Sequence, residues 1–168
     1  MRHAWIDASA GIAGDMLLGA LLDAGADEQA VRAAITAVAG DAVRLHLREV
    51  RRAGLRALKV DIELADPDPP ERRWREIRDL LARAGAEPAA TDVFRRLAEA
   101  EARVHGITPD EVHFHEVGAL DAIADVVGCC AALADLGVRT VSAGPVALGS
   151  GTVRARHGRL PVPAPAVA

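Results

Sequence analysis

Apolar residues recur along this chain with two different periods, and each period predicts a different element. The run Ala4 to Ala8 reads as a short buried strand, followed by a turn at Gly11-Ile12-Ala13-Gly14. Asp15 opens a helix whose apolar positions Leu17, Leu18, Leu21 and Leu22 fall at helical spacing, and Gly25 closes it. Asp27 suits the N-cap of a second helix that carries Val31, Ile35 and Val38 and ends at Gly40. The period then drops to two. Val43, Leu45 and Leu47 alternate with Arg44, His46 and Arg48, and Leu58, Val60, Ile62 and Leu64 alternate with Lys59, Asp61 and Glu63. With a turn at Ala53-Gly54 this predicts an antiparallel hairpin with one apolar face and opposite charges facing each other on the outer one.

Asp66-Pro67-Asp68-Pro69-Pro70 breaks the pattern and is the candidate internal boundary, near residues 66–70. Beyond it, Trp74, Ile77 and Leu81 mark one helix. A second runs from about Thr91 to His105 with Phe94, Leu97 and Val104 expected inward. After a loop from Gly106 to Val112, a helix is expected from Asp121 to Leu136, with Leu120, Ile123, Val127 and Ala131 on one stripe. Arg139 to Leu148 reads as a strand interrupted at Gly144-Pro145, followed by Gly149-Ser150-Gly151 and a proline-rich tail. Strands and helices in this mixture predict an α/β (mixed α+β) fold. Its small sheet would contain the N-terminal strand and the antiparallel hairpin, packed with about five helices.

The 168 residues are 51% hydrophobic and 26% charged, which excludes disorder and low-complexity classes. Aromatics make up only 2%, so the core must be aliphatic and base-stacking platforms are scarce. A net charge of −4 argues against a general nucleic-acid binder. Cys129 and Cys130 are adjacent, a poor geometry for a disulfide, and within a helix at most one is expected to face the core squarely. With no signal peptide and no apolar run long enough to span a membrane, the expectation is a soluble, cytoplasmic protein.

Three segments could carry chemistry. His113-Phe114-His115-Glu116 places two imidazoles two residues apart, on one side of an extended segment. Asp121 and Asp125 follow at i, i+4 on a helix. Imidazoles with carboxylates suit a divalent transition metal, making His113, His115, Glu116, Asp121 and Asp125 the candidate ligands. The same pattern also suits a solvated loop followed by an acidic first helical turn. Asp7-Ala8-Ser9-Ala10-Gly11-Ile12-Ala13-Gly14-Asp15 sets carboxylates and glycines between a strand end and a helix N-terminus. This suits a metal or a metal-bound phosphate, or simply a capped helix after a tight turn. Gly149-Ser150-Gly151, with His157 downstream, permits close backbone approach to a ligand, or is an ordinary turn. His46 reads as solvated, His3 as inert, and His105 as a cation at a helix end.

These blocks carry a resemblance. Residues 7–21 resemble the opening of the LarC family, the nickel insertion proteins of nickel-pincer cofactor synthesis. Residues 112–128 look like that family's most distinctive block, and 148–151 and 157–166 resemble the next two, in the same order. The resemblance implies nickel insertion into pyridinium-3,5-bisthiocarboxylic acid mononucleotide, forming one metal–carbon and two metal–sulfur bonds. It also implies hydrolysis of CTP to CMP and pyrophosphate with manganese or magnesium, at a site associated with a C-terminal region that this chain is expected to lack. On that reading residues 1–168 are the N-terminal domain of a longer nickel chelatase of the lyase class, and the fragment alone is not expected to be active. His115 or Glu116 would take the ring proton, while Asp7, Ser9, Gly11, Gly14, Asp15, Ser150 and His157 would contact the nucleotide-like substrate. Family members often carry a histidine-rich stretch between the hairpin and the next helix. Residues 64–73 hold no histidine, so nickel storage is not expected there. The expected partners are the thiocarboxylated mononucleotide and further copies of the chain in a homo-oligomer, with neither nucleic acid nor membrane. The alternatives are a non-catalytic nickel-binding or delivery module and a metal-dependent phosphohydrolase.

Overall fold

Helix α5 (Leu120–Asp135) is apolar on two sides, and the rest of the fold is arranged around that fact. The computed structural model of the chain describes residues 2–66, 71–114, 117–155 and 158–167. Ile123, Val127 and Cys130 of α5 belong to one buried cluster, and Ala124, Cys129 and Ala132 to another. The first cluster is completed by α3 (Trp74–Ala84) and α4 (Pro88–His105). The second is completed by α1 (Gly14–Asp23), α2 (Glu28–Ala39) and the hairpin of β2 (Val43–Arg52) and β3 (Leu55–Leu64).

The elements form where the local chemistry directs. The Asp27 carboxylate accepts a hydrogen bond from the Gln29 amide at 2.9 Å and caps α2, and Gly40 ends it at φ 57°. The Glu76 carboxylate reaches back to the Arg73 amide at 2.8 Å to start α3. Pro88 sits in the first turn of α4, where its missing N–H costs nothing, so this helix begins earlier than the Thr91 expected from the pattern. The hairpin turns at Ala53 and Gly54, both with positive φ, and its register sets Leu45 against Ile62 and Leu47 against Val60. On its outer face Arg48 pairs with Asp61 at 3.0 Å and His46 with Glu63 at 2.7 Å, so His46 is exposed yet partnered. Gly19 lets α1 lie directly on β3, because a Cβ there would stand 2.5 Å from the Leu58 carbonyl oxygen.

The short strands make separate two-stranded ladders. β1 (Arg2–Ile6) pairs in parallel with β6 (Val138–Ala143). β4 (Arg72–Arg73) pairs with β5 (His113–Phe114), and β7 (Thr152–Ala155) pairs with β8 (Gly158–Pro161). The N-terminal strand and the hairpin therefore lie in different ladders among the described residues.

Several expectations need correction. The run Ala4 to Ala8 is not a buried strand: β1 ends at Ile6 and is largely exposed, because a hollow lies between it and α1. Val104 is 47% exposed, and the inward stripe of α4 is Ala90, Phe94, Ala98 and Ala102, whose small residues let α4 approach its neighbours. Both cysteines are buried, one in each cluster, because α5 has core on two sides. The strand expected over Arg139 to Leu148 stops at Ala143. His3 is not inert, since its ring nitrogens lie 2.8 Å from Thr140 Oγ1 and 3.0 Å from Ser142 Oγ and fasten β1 to β6. The Pro67–Pro70 break lies outside the described residues.

Candidate functional site

β1 and β6 run in parallel, so their carboxyl ends open at the same edge of the molecule. In open parallel sheets ligands bind in the crevice outside those ends. The chain leaving β1 forms the first wall. Asp7 Oδ1 accepts a hydrogen bond from the Ser9 amide at 3.0 Å. The Ser9 hydroxyl and amide hold the Asp7 carboxyl below its usual range, so it stays ionised. The Gly11 amide donates to the Ala8 carbonyl at 2.9 Å and closes the turn. The chain leaving β6 forms the second wall. The Gly144 amide donates to the Ile6 carbonyl at 3.1 Å, and the Ala147 amide to the Ala8 carbonyl at 3.1 Å. Residues 7–13 and 144–150 thus lie side by side, and the exposed Ser150 stands at the end of the second loop.

Two helix starts meet behind these loops. Gly14 is the first residue of α1, and a Cβ on it would fall 2.6 Å from Cβ, Cγ and Oδ2 of Asp125. Only a glycine lets Asp125 seat against this turn. Asp15 and Asp121 occupy the first turns of α1 and α5, where helix dipoles favour negative charge. Asp125 Oδ1 is buried and has no hydrogen-bond partner among the described residues. Burial, reinforced by Asp15 and Asp121, pushes the Asp125 carboxyl up to about 6. One helical turn further on, Cys129 Sγ donates to the Gly14 carbonyl at 3.5 Å. Burial and then Asp125 push that thiol up to about 12, so it is a neutral donor at physiological pH. A proton would relieve the repulsion among the three carboxylates.

The structure therefore brings Gly14 and Asp15 together with Asp121 and Asp125, while Asp7, Ser9 and Gly11 lie on the first loop, beside the loop that ends at Ser150. His113 lies apart in register with Arg73, exposed, while the next residue, Phe114, is buried in edge-on contact with Phe94 at 6.3 Å between ring centres. Among the described residues no three of the His, Cys, Asp and Glu side chains form a group able to hold a metal ion, so His113 does not join Asp121 and Asp125 in one. His115, Glu116 and His157 lie outside the described residues. Cys129 is not among the residues that the sequence pattern offers for a site. Its signal was the spacing Asp121, Asp125, Cys129, which repeats every four residues and so lines one helix face. Arg72 was also missed. Its guanidinium donates to the Gly118 carbonyl at 2.9 Å and pins the entry to α5.

Comparison with known proteins finds the same family from the whole sequence. The sequence model of a family described as nickel insertion protein matches residues 4–168. The pyridinium-3,5-bisthiocarboxylic acid mononucleotide nickel insertion protein of Nocardioides sp. is 54% identical over 172 residues, covering 100% of this chain and 44% of that protein. A putative nickel insertion protein of Thermomicrobium roseum is 48% identical, covering 100% and 42%. The pyridinium-3,5-bisthiocarboxylic acid mononucleotide nickel insertion protein of Desulfitobacterium hafniense is 38% identical, covering 99% and 42%. No solved structure matches. The chain spans less than half the length of these relatives, and it belongs to the nickel insertion protein family.

Proposed function

We propose that this chain forms part of an enzyme that inserts nickel, as its substrate metal, into pyridinium-3,5-bisthiocarboxylic acid mononucleotide. The observation that carries the reading is the meeting of two family-like segments at one place. The Gly14 turn seats Asp125, and Asp15 and Asp121 flank that carboxylate. The small residues of loops 7–13 and 144–150 permit close approach of a mononucleotide, whose phosphate would sit beside Asp7 and Asp15 as a metal-bound group. An ion held by a few imidazole and carboxylate ligands, rather than by a closed thiolate cage, can be received and then given up. His113, His115 and Glu116 are proposed to take the nickel toward the substrate, with His115 or Glu116 as acceptor of the ring proton. In that step the ring carbon–hydrogen bond gives way to a nickel–carbon bond, the proton goes to the base, and the two thiocarboxylates supply the sulfur ligands. Coupling to CTP hydrolysis with manganese or magnesium is proposed for the family-length protein, as is assignment to the lyases. A cytoplasmic location fits this chemistry, and among the described residues no helix is long and apolar enough to cross a membrane.

Calorimetric nickel titration at neutral pH tests the ligand assignment, comparing this chain with a His113→Ala/His115→Ala variant of equal fold content. Binding that is lost in the variant is expected, and equal binding by both would overturn the assignment. The reaction is tested by supplying the family-length protein with thiocarboxylated nucleotide, nickel, CTP and manganese. Nickel retained without formation of the nickel cofactor would identify a delivery module instead.

A further inference from the structure

The β1–β6 ladder is built unlike a finished sheet. Parallel pairing is slightly weaker per residue than antiparallel pairing and occurs almost only where both faces are covered. Two strands alone are marginal, and stability normally takes a third. Among the described residues each of these strands pairs only with the other, so each keeps one open edge. The faces are open as well. Trp5 is 63% exposed on the face it shares with His3, Thr140 and Ser142, and Val141 is 49% exposed on the opposite one. A hollow of about 520 Å³ separates the ladder from α1, lined by Ile6, Leu17, Leu21 and Leu136 among others. Exposed apolar side chains continue past the strand ends at Ile12, Val146 and Leu148, on the two loops of the candidate site. Exposed apolar side chains on both faces of the ladder and at its strand ends suit contact with further polypeptide.

We infer that this ladder is the seam at which a family-length nickel insertion protein completes its sheet. The occupant is polypeptide from outside the region matched here. It adds at least one extended strand to an edge of β1 or β6 and lays apolar side chains over Trp5, Val141 and the loops beyond them. The relatives supply the material, because the matched region is 44% of the Nocardioides protein and 42% of the Thermomicrobium one. Parallel strands are joined by crossovers within one chain, so the same polypeptide is the natural source of the next strand. A second copy fits less well. A two-fold axis pairs an edge with its own copy, which extends one side of the ladder and leaves the other open. The added segment would also cover loops 7–13 and 144–150 and so exclude water from the site between them. This inference rests on family membership and not on the nickel roles proposed above.

Hydrogen exchange read by mass spectrometry tests it, on peptides spanning residues 2–7 and 138–144 of this chain and the equivalent peptides of the family-length Nocardioides relative. Exchange roughly tenfold or more slower in the relative, and independent of concentration, is expected. Equally fast exchange in both proteins would overturn the inference. So would slow exchange that appears in the short chain together with a dimer in sedimentation. A peptide from α5 shows whether the short chain is folded. If it is not, a photo-crosslinking residue at the position of the relative that aligns with Val141 decides. Cross-links into the unmatched region of the same polypeptide are expected, and cross-links only to another copy, or none, would overturn the inference.

Discussion

Asp125 carries its charge at a disadvantage. Its neighbours within reach are Asp15, Asp121 and the neutral thiol of Cys129, and no cation offsets them among the described residues. With the native carboxyl near 6 and an ordinary unfolded value near 3.8, the folded state holds the proton more tightly. Stability is therefore greatest below about pH 4 as far as this group is concerned, falls as pH rises between about 4 and 6, and stays reduced above. Partial exposure screens the effect, leaving about 1–2 kcal/mol. Asp125→Asn is expected to raise the denaturant midpoint at pH 7.5 and to flatten this segment of the pH profile. Urea titrations of both proteins at pH 4.5 and 7.5, without added metal, check this. An unchanged difference between the two pH values would show that the carboxylate is relieved in some other way.

At the scale of elements, close approach sets the tolerances. α1 rests on β3 through Gly19, whose absent Cβ leaves room for the Leu58 carbonyl oxygen. That oxygen is backbone and cannot turn aside as a side chain would. Gly19→Ala gains up to about 1 kcal/mol of helix propensity but forces the helix off the hairpin at about 1–3 kcal/mol, so a net loss of about 1–2 kcal/mol is expected. Chemical denaturation should show a lowered midpoint with an unchanged slope. The same reasoning explains α4. Its inward Ala90, Ala98 and Ala102 hold it close to its neighbours, and the one large inward ring, Phe94, is fully buried against Phe114.

At the scale of the molecule, α5 joins the two hydrophobic clusters into one cooperative unit, and its cysteines report on that unit. Burial pushes the thiols of Cys129 and Cys130 up to about 12 and about 11, so almost no thiolate exists at pH 8. The thiolate is the reactive form. Labelling by a disulfide reagent at pH 8 is expected to run roughly a hundredfold or more slower in the native chain than in guanidinium, with both thiols reacting together. Rapid reaction of one thiol in native conditions would show that the two clusters open separately.

Local sequence determined much of this protein by itself. Asp27 and Gly40 bound α2, the alternation from Val43 to Leu64 built the hairpin with its turn at Ala53-Gly54, and Asp121 and Asp125 share one face of α5. These features depend on neighbours a few residues away, which is the range over which periodicity and capping act. The four ordered blocks also carried the family. Tertiary structure alone decided the rest. That Gly14 seats Asp125, that Ala147 binds Ala8, that α5 is buried on two sides and that β1 is exposed are all relations between segments far apart in the chain. No pattern within one segment encodes what will stand opposite it. The apolar run at β1 read as buried because burial was inferred from composition, whereas burial requires a covering element, and none of the described elements closes over that strand.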